Sequence, residues 1–432
     1  MSGPTAKRPW VQEMSYAWRA LRHRNFKLFF FGQSISVLGT WMTRLATSWL
    51  VYHLTHSALL LGIASFAGQI VSFALGPFAG VWVERLERRR LLVWTQAAAA
   101  IQSLALAALT LPHVITLWEV IALTALQGVI NAFDMPARQS FLVQMVDDRN
   151  DLSNAIAINS SMANGARFVG PAIAGLVIAA FGEGGCFLFD GISYFAVIAS
   201  LLLMHIKPLD TPRNKGNMFE QMREGWDYIC TFRPIRSILL LFALISLMGY
   251  SWSTLLPIFA SQVLHGGATT LGWLLGASGV GALVSALSLA VRKSVLGLTG
   301  MLQISVAVLG GGLILFGLSH TLWLSLVLMG FVGFGMLQAA SVSNTIVQAL
   351  VPEDKRARVM SYYTTAFFGA APFGSLLAGL LADRIGAPHT VIFTGAFCIA
   401  GSLWFTFELP KVREIMRPIY QQLDLLPASN TN

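Results

Sequence analysis

Three charged residues stand inside long apolar stretches of the chain: Arg44, Arg167 and Asp190. An ionised side chain at the centre of a hydrocarbon layer costs about 2.5–3.5 kcal/mol, so each residue needs a reason to be there. A carboxylate that pairs alternately with different cations could bind and release a proton. We therefore predict that these residues form a candidate proton-coupling network. A static structural ion pair is the alternative.

A second group of charges follows one apolar stretch, in the segment GVWVERLERRR that starts at Gly80. Gly80 would let neighbouring helices approach closely, and Glu84 could bind a helix N-terminus. Asp134 and Arg138 stand at the end of another apolar stretch. Charges that only orient loops are one explanation, and the other is a gate between helices, which the family resemblance described below implies. The predicted gating residues are Gly80, Glu84, Arg85, Arg88, Arg89, Asp134 and Arg138.

A run of small residues with one proline surrounds Arg167 and continues beyond it. Its central members are Gly170, Pro171, Ala174 and Gly175. Proline removes a backbone donor and kinks a helix, and small side chains let helices pack closely and slide. The pattern predicts a helix that moves against its neighbours, with ordinary close packing as the alternative.

Aromatic and amide side chains within the apolar stretches could line an amphipathic cavity. Aromatic rings also anchor helices at membrane surfaces, and that role explains each ring at least as well. Which of them reach a cavity depends on how the helices pack. The candidates are Trp41, Gln127, Tyr250, Trp252 and Gln338.

The sequence holds none of the motifs that would indicate catalysis or a bound cofactor. It lacks GxxxxGK[ST] for phosphates, GxSxG for a serine nucleophile and HExxH for zinc. Its three cysteines, Cys186, Cys230 and Cys398, are far apart, and its eight histidines are scattered. We therefore expect no enzyme, no catalytic residue, no cofactor and no metal site.

The elements that carry these residues follow from the composition. Of 432 residues, 55% are hydrophobic and only 11% are charged, too few charges to solvate a soluble protein of this size. A stretch of roughly 20 apolar residues crosses a membrane, and in lipid it must be helical to satisfy its backbone. We therefore predict an all-α membrane protein with twelve transmembrane helices. The stretches are 27–52, 58–83, 91–111, 114–137, 156–181, 185–206, 237–260, 269–291, 295–318, 321–347, 360–382 and 388–407.

The basic residues predict the orientation of these helices. The chain has 29 Lys and Arg against 20 Asp and Glu, a net charge of +9. All the basic residues except Arg44, Arg167 and Arg384 lie in the terminal segments and the even-numbered connections. Basic loops stay in the cytoplasm, so we expect a multi-pass protein of the bacterial inner membrane with both termini cytoplasmic. This distribution explains the positive charge without a nucleic-acid partner.

The stretches form two groups of six that resemble each other. Ala-Gly-Leu at 174–176 recurs at 378–380, and Leu61-Gly62 recurs as Leu271-Gly272, about half the chain apart. Two six-helix halves related by a parallel repeat form one large class of transporters. The expected segments are an N-terminal cytoplasmic arm (1–26), a first half (27–206), a cytoplasmic linker with a surface helix (207–236), a second half (237–407) and a cytoplasmic tail (408–432).

The segment from Gly80 to Arg89 resembles a cytoplasmic motif of the major facilitator superfamily, except that Glu87 replaces the usual glycine. Four further segments are similar to the branch of enterobactin exporters and of macrolide and drug efflux proteins. The resemblance implies two pseudo-symmetric halves and a gate that Glu84 latches against the eleventh helix. The four segments are GTWMTRLATSWLVYHLTHS at 39–57, DMPARQSFL at 134–142, NAIAINSS at 154–161 and ARFVGPAIAG at 166–175.

The resemblance also implies a function. It implies secondary active export of a siderophore or drug-like amphipathic compound by alternating access and proton antiport. The implied partners are this substrate, protons and the lipid bilayer, and the expected state is a monomer. Thr124 stands where proton-coupled drug antiporters carry arginine, so any coupling must use other groups. A lipid or lysolipid flippase and a non-transporting membrane sensor or scaffold remain as alternatives.

Overall fold

The structure is a computed structural model that describes residues 18–146, 148–206, 218–292 and 297–422. These residues form helices joined by short connections, and no strand occurs among them. Helix α7 contains two π-helical turns, Ile245–Gly249 and Phe259–Val263. The helices are α1 (Arg24–Thr55), α2 (Ala58–Arg85), α3 (Arg88–Thr110), α4 (Leu117–Leu142), α5 (Leu152–Leu203), α6 (Met218–Thr231), α7 (Arg233–Val263), α8 (Ala268–Ala290), α9 (Leu298–Leu318), α10 (Leu322–Leu350), α11 (Glu353–Ile385) and α12 (Ala387–Gln422).

Ten helices of the described chain are long and apolar enough to cross a membrane. One of them, α5, has 52 residues and turns back at Gly182, whose φ of 73° is a conformation that glycine adopts easily. It therefore consists of α5a (152–181) and α5b (183–203), which pack together where Cys186 contacts Ala174. Helix α1 is more polar but has 32 residues and packs along α5. Counted with α1 and both parts of α5, the described residues form twelve helices of spanning length.

The helices run between two ends that differ in charge. The basic end contains the start of α1, the connections after α2, α4 and α10, and the described ends of the connections after α5 and α8. Most of the described arginines and lysines lie there. The opposite end contains the bend at Gly182 and the connections after α1, α3, α7, α9 and α11. This topology places the start of α1 and the end of α12 at the same end of the bundle.

Both halves connect their first helix to their last helix at the basic end. In the first half (α1–α5), the side chain of Asn25 on α1 bonds to the backbone of His205, just after α5b. In the second half (α7–α12), Arg233 on α7 makes two hydrogen bonds of 2.9 Å to Glu408 on α12. The pairing supports a common plan for the two halves.

The halves contact each other through two glycine crossings near the opposite end. Gly62 on α2 lies against Gly379 on α11, and a β-carbon on either would come within 3.0–3.1 Å of the other's α-carbon. Gly175 on α5a and Gly272 on α8 make the equivalent contact at 3.2–3.4 Å. Only glycine allows such close backbones. These four glycines belong to the two sequence repeats, so the repeats mark the contacts that join the halves.

The α2–α11 interface opens toward the basic end. Residues 62, 66, 69, 73, 76 and 80 lie on one face of α2, at intervals of three or four. The first four positions contact α11, ending with the Phe73 ring against Gly369. Within the described part of the chain, a β-carbon added at Gly76 or Gly80 would have no heavy atom within 4 Å. The halves are therefore closed at the opposite end and separated at the basic end.

Several predicted segment boundaries differ from the helix ends, among them those of α1, α7 and α12. Helix α1 begins at Arg24 rather than 27, and α7 begins at Arg233 rather than 237. Helix α12 continues to Gln422 instead of ending at 407. Charged residues end an apolar stretch without ending a helix, because Lys and Arg are good helix formers in water. Residues 1–17 of the arm, 207–217 of the linker and 423–432 of the tail lie outside the described residues.

The surface helix predicted in the linker is present as α6. Its Glu224 pairs with Arg358 on α11, and the ring of Trp226 lies 5.8 Å from that of Tyr362 on the same helix. The linker helix therefore packs on the second half.

Candidate functional site

Two of the three predicted network residues meet at one aromatic ring. The guanidinium carbon of Arg44 lies 4.8 Å from the centre of the Trp41 ring, and that of Arg167 lies 5.7 Å from it. Cations over an indole face gain about 0.5–2 kcal/mol each. The ring position is fixed by Gly170, where an added β-carbon would come 2.6 Å from that of Trp41. A small residue on α5a thus lets α1 bring its indole close to both arginines.

Asp190 occupies a separate polar site where α1, α3 and α5b meet. It is 1% exposed, and its Oδ2 accepts hydrogen bonds of 2.9 Å from the hydroxyls of Thr43 and Ser103. Its Oδ1 has no donor among the described residues. Gly39 makes room for this oxygen, since a β-carbon there would lie 2.6 Å from it. The site holds a buried carboxyl group with one unpartnered oxygen.

The structure does not bring all three predicted network residues together in this conformation, and the network itself stays a prediction. Within the described residues, no ion pair joins Asp190 to Arg44 or Arg167. Successive residues of a helix point about 100° apart, so Thr43 faces α5b while Arg44 faces elsewhere. A role of Asp190 in proton coupling remains a proposal.

Asp134 connects two helices of the first half near the basic end. Its carboxylate accepts hydrogen bonds from Thr95 at 2.9 Å and Gln96 at 2.7 Å, both on α3. It also pairs with Arg138, one turn further along α4. These contacts join α3 to α4 rather than one half to the other. Their part in gating remains a proposal.

The other predicted gating residues are spread over the basic end. Arg89 donates hydrogen bonds of 2.8 Å to the backbone carbonyls of Leu201 and Leu202, which end α5b. Arg85 is exposed and Arg88 is partly exposed, whereas the side chain of Glu84 lies outside the described part of the chain. Among the described residues, no heavy atom of a neighbouring helix lies within 4 Å of a β-carbon built at Gly80, because the halves are separated at this end.

The small residues of α5a face two different helices. Gly170 faces Trp41 on α1, while the backbone atoms of Pro171 and Gly175 contact Gly272 on α8. Ala174 is fully buried, and its carbonyl lies 3.8 Å from the sulfur of Cys186 on α5b. The expected close packing is present on both sides, and movement of this helix remains a proposal.

A cavity of about 490 Å³ opens in the wall of the second half. Three of its rings stack: Phe242 lies 4.4 Å from Tyr363 and 5.1 Å from Phe367 between ring centres. Neutral polar groups complete the wall, and no charged residue lines it. The lining residues come from α7, α10 and α11: Phe242, Ala340, Ser341, Asn344, Thr345, Tyr363, Thr364, Phe367 and Phe368.

The structure corrects two of the five predicted cavity residues. Gln338 is 1% exposed and accepts hydrogen bonds from Ser285 and Ser288, so it joins α10 to α8. Trp252 is 3% exposed and belongs to the core of the second half. Their residue types favour a cavity, but each side chain lies in a contact between helices.

The other three are placed where they can contribute. Tyr250 lies 5.8 Å from the ring of Phe367, which lines the cavity. Gln127 is partly exposed and bonds to Asn131 one turn away, and the Trp41 ring lies within 6 Å of both guanidinium carbons.

Sequence reasoning missed most of the cavity wall. Asn344 and Gln348 form an i,i+4 hydrogen bond on α10, as Gln127 and Asn131 do on α4. This amide pairing in an otherwise apolar stretch was the available signal. The hydroxyls that hold Asp190 gave no signal, since Ser and Thr are common in apolar helices.

Comparison with known proteins matches almost the whole chain. A family model described as transmembrane secretion effector covers residues 15–424. The Staphyloferrin A transporter of Staphylococcus aureus is 26% identical over 388 residues, which is 90% of this chain and 97% of that protein. The multidrug efflux pump Tap of Mycolicibacterium fortuitum is 26% identical, covering 87% and 93%. Macrolide efflux protein A of Streptococcus pyogenes is 22% identical, covering 92% and 98%.

Solved structures show the same fold at low identity. A bacterial homologue of the human lysosomal transporter Spinster, in an inward-facing and occupied conformation, superposes with a TM-score of 0.70. The match covers 93% of this chain and 97% of that one, at 11% identity.

Proposed function

The chain belongs to the transmembrane secretion effector family of the major facilitator superfamily, and from this premise we propose that it exports a small amphipathic compound by alternating access. The relatives transport a siderophore or pump out drugs by their names, which supports a compound of either kind. We propose that the protein is a secondary transporter and that it acts as a monomer.

One observation carries the mechanism: the halves touch at the opposite end and separate at the basic end. The glycine crossings Gly62–Gly379 and Gly175–Gly272 form the closed side. The open side gives access to the aromatic cavity around Tyr363 and Phe367. Two halves that rock about a site at mid-depth would expose it to each side in turn.

The basic end is proposed to face the cytoplasm of a bacterial inner membrane. Most arginines and lysines lie there, and cytoplasmic loops retain such residues. The described conformation would then receive its substrate from the cytoplasm, as export requires.

Proton antiport is proposed to use Asp190. Carboxyl groups buried within transmembrane helices serve as proton sites in many pumps and transporters. Asp190 joins α1, α3 and α5b, so a change in its protonation would alter contacts among three helices. Asp134 and Arg138 are proposed to support the gate through the α3–α4 contact.

The direct test is proton movement in liposomes that contain the purified full-length protein and a pH-sensitive dye. A pH gradient is imposed, and catecholate siderophores, macrolides and lipophilic cations are added in turn. A class that the protein transports in exchange for protons should collapse the gradient, with no response in protein-free liposomes. Folded protein that moves no protons with any class would contradict proton antiport of these compounds.

A further inference from the structure

We propose that Arg44 and Arg167, held by Trp41, form an anion-binding site that recognises carboxylate groups of the transported compound. The inference rests on the proposed export function for its biological role. The binding itself can be measured without transport.

Arg167 lies on the polar side of α5a. Ser153, Ser160, Asn164 and Arg167 follow one another at intervals of seven, four and three residues, so they share one helix face. Each of the four is exposed or partly exposed. An exposed polar face of a membrane helix lines water rather than lipid.

The lipid side of α5a is a different face. Val169, Ile173 and Leu176 are exposed, apolar and spaced by four and three residues. Arg167 lies about 150° away from their mean direction at about 100° per residue. The guanidinium of Arg167 therefore faces the gap between the halves.

Arg44 reaches the same gap from α1. The lipid side of α1 carries the exposed apolar residues Phe31 and Ile35. Arg44 comes nine residues after Ile35, which places it about 180° round the helix. It is exposed, and it shares the Trp41 ring with Arg167. Both arginines thus face the gap between the halves, near the middle of their helices.

The acidic residues of the first half with described side chains are engaged elsewhere. Asp134 pairs with Arg138, and Asp190 is buried among hydroxyls on another face of α1. Near the opposite end, Glu119 caps the start of α4 and Glu183 lies 3.4 Å from His53. No described carboxylate pairs with Arg44 or Arg167.

The second half supplies no counter-ion either. Its sequence has no Asp, Glu, Lys or Arg over residues 238–291, 298–352, 359–382 and 385–407. Two positive charges at membrane depth without an acidic partner are costly unless a ligand or water compensates them. An anionic ligand fits this requirement.

The geometry selects for carboxylates on a small molecule. Guanidinium groups bind carboxylates through two parallel hydrogen bonds. Both guanidinium carbons lie within 6 Å of one ring centre, so two carboxylates of one compound can each reach an arginine. The neutral aromatic wall around Tyr363 and Phe367 suits the uncharged part of the compound. The predicted ligand class is a di- or tricarboxylate, and lipophilic cations are disfavoured.

The first experiment measures citrate binding to the full-length protein in lipid nanodiscs by calorimetry. We expect citrate to bind at least tenfold more tightly than acetate, and triethyl citrate, which lacks the charges, not to compete. Arg44→Gln and Arg167→Gln should each weaken citrate binding at least tenfold. Arg384→Gln removes the same charge from an exposed site at the opposite end and should change nothing.

A second measurement uses the unchanged protein, so it does not depend on the folding of a variant. Phenylglyoxal modifies accessible arginines, and mass spectrometry locates the products. Citrate should protect Arg44 and Arg167 but not Arg384, and triethyl citrate should protect none of the three. Equal modification with and without citrate, or equal citrate affinity in the double glutamine variant, would overturn the site.

Failure of the site and failure of export are distinguishable. Export of a neutral or cationic compound that both glutamine variants perform normally, without citrate binding, would overturn the site and leave export intact. Citrate binding that depends on both arginines, in a protein that exports nothing, would support the site and contradict export.

Discussion

At the scale of residues, the buried carboxyl group of Asp190 depends on Gly39. Gly39 has no side chain, and the carboxyl group occupies the space that a side chain there would fill. Thr43 and Ser103 satisfy one carboxyl oxygen, and the space left by Gly39 accommodates the other. Any atom added at Gly39 must displace the aspartate or separate α1 from α5b. This site is therefore sensitive both to charge and to volume.

Gly39→Ala is expected to destabilise the protein. The new β-carbon would lie 2.6 Å from Asp190 Oδ1, and overpacking of this kind costs about 1–3 kcal/mol. Gly311→Ala is the matched control, because nothing lies within 4 Å of its β-carbon and alanine favours a helix. Thermal unfolding in detergent should show a lower midpoint for the first variant only. Equal midpoints would mean that α1 and α5b are less tightly packed than described.

Asp190→Asn is expected to fold but to lose export driven by a pH gradient. The amide oxygen can still accept from Thr43 and Ser103, whereas the side chain can no longer bind and release a proton. Glu414→Gln, which changes an exposed carboxylate, should keep full coupling. Dye measurements in proteoliposomes compare the two, and normal gradient-driven export by Asp190→Asn would assign the proton to another group.

Arg89→Gln is expected to weaken the basic end of the first half. Arg89 is the residue that satisfies two terminal carbonyls of α5b, and hydrogen bonds from a charged donor contribute about 1.5–3 kcal/mol. Arg90→Gln is the control, since Arg90 forms only an exposed pair with Glu87 in the described structure. Unfolding midpoints should fall for Arg89→Gln and stay within error for Arg90→Gln. A drop of the same size in both would point to net charge as the cause.

The residue types of the site could be predicted from the sequence, but their partners could not. Arg44, Arg167 and Asp190 stand out because charges are rare in apolar stretches. Which side chains meet depends on the rotation of each helix about its axis. Thr43 and Arg44 are neighbours in sequence, but their side chains point about 100° apart, so only Thr43 reaches Asp190. Because helix rotation is not known from the sequence, Gln338 and Trp252 are predicted to line a cavity, whereas they lie in contacts between helices.

At the scale of elements, the glycine crossings make the opposite end closed. They bring the backbones of α2 and α11, and of α5a and α8, into direct contact. Larger side chains at these positions would hold the halves apart where they now touch. The balance between the two conformations should therefore be adjustable at a single glycine.

Gly62→Val is expected to open the opposite end. Its β-carbon would lie 2.8 Å from the carbonyl of Ser375 on α11. Ser375→Cys, in a Cys230→Ala background, reports on this opening because Ser375 is 1% exposed. Reaction with a membrane-impermeant maleimide should rise several-fold with Gly62→Val. Gly76→Val, on the same face of α2 but in open space, should leave the reaction unchanged, and an equal rise in both would exclude the crossing as the cause.

The sequence predicts the positions of the helices better than it predicts the contacts between side chains. Length and apolarity identify each spanning stretch, and the repeats identify the crossing helices, because both are properties of composition and order. Helix ends were less predictable, as at α12, because a helix can continue from lipid into water without a break in its hydrogen bonds.

At the scale of the whole molecule, two halves meet at one end and share a gap at the other. The crossings lie near one end of the helices, so closing the gap requires the crossings to separate. The two ends should therefore open reciprocally.

Gly62→Val should also lower access at the basic end. Thr364→Cys, on the exposed wall of the cavity, reports on this end in the same Cys230→Ala background. In inside-out vesicles, its reaction with maleimide should fall as the reaction at Ser375→Cys rises. A rise at both positions would indicate a loosened protein rather than a rocking one.

Charge within the membrane belongs to only one of the two halves, since the spanning helices of the second half carry no Asp, Glu, Lys or Arg at mid-depth. One elementary charge moved across a membrane potential gains or loses about 2.3 kcal/mol per 100 mV. If the first half reorients as proposed, Arg44 and Arg167 would carry two positive charges with the empty protein, and its return would depend on voltage. Two bound carboxylates would cancel these charges, so the loaded step should depend on voltage much less.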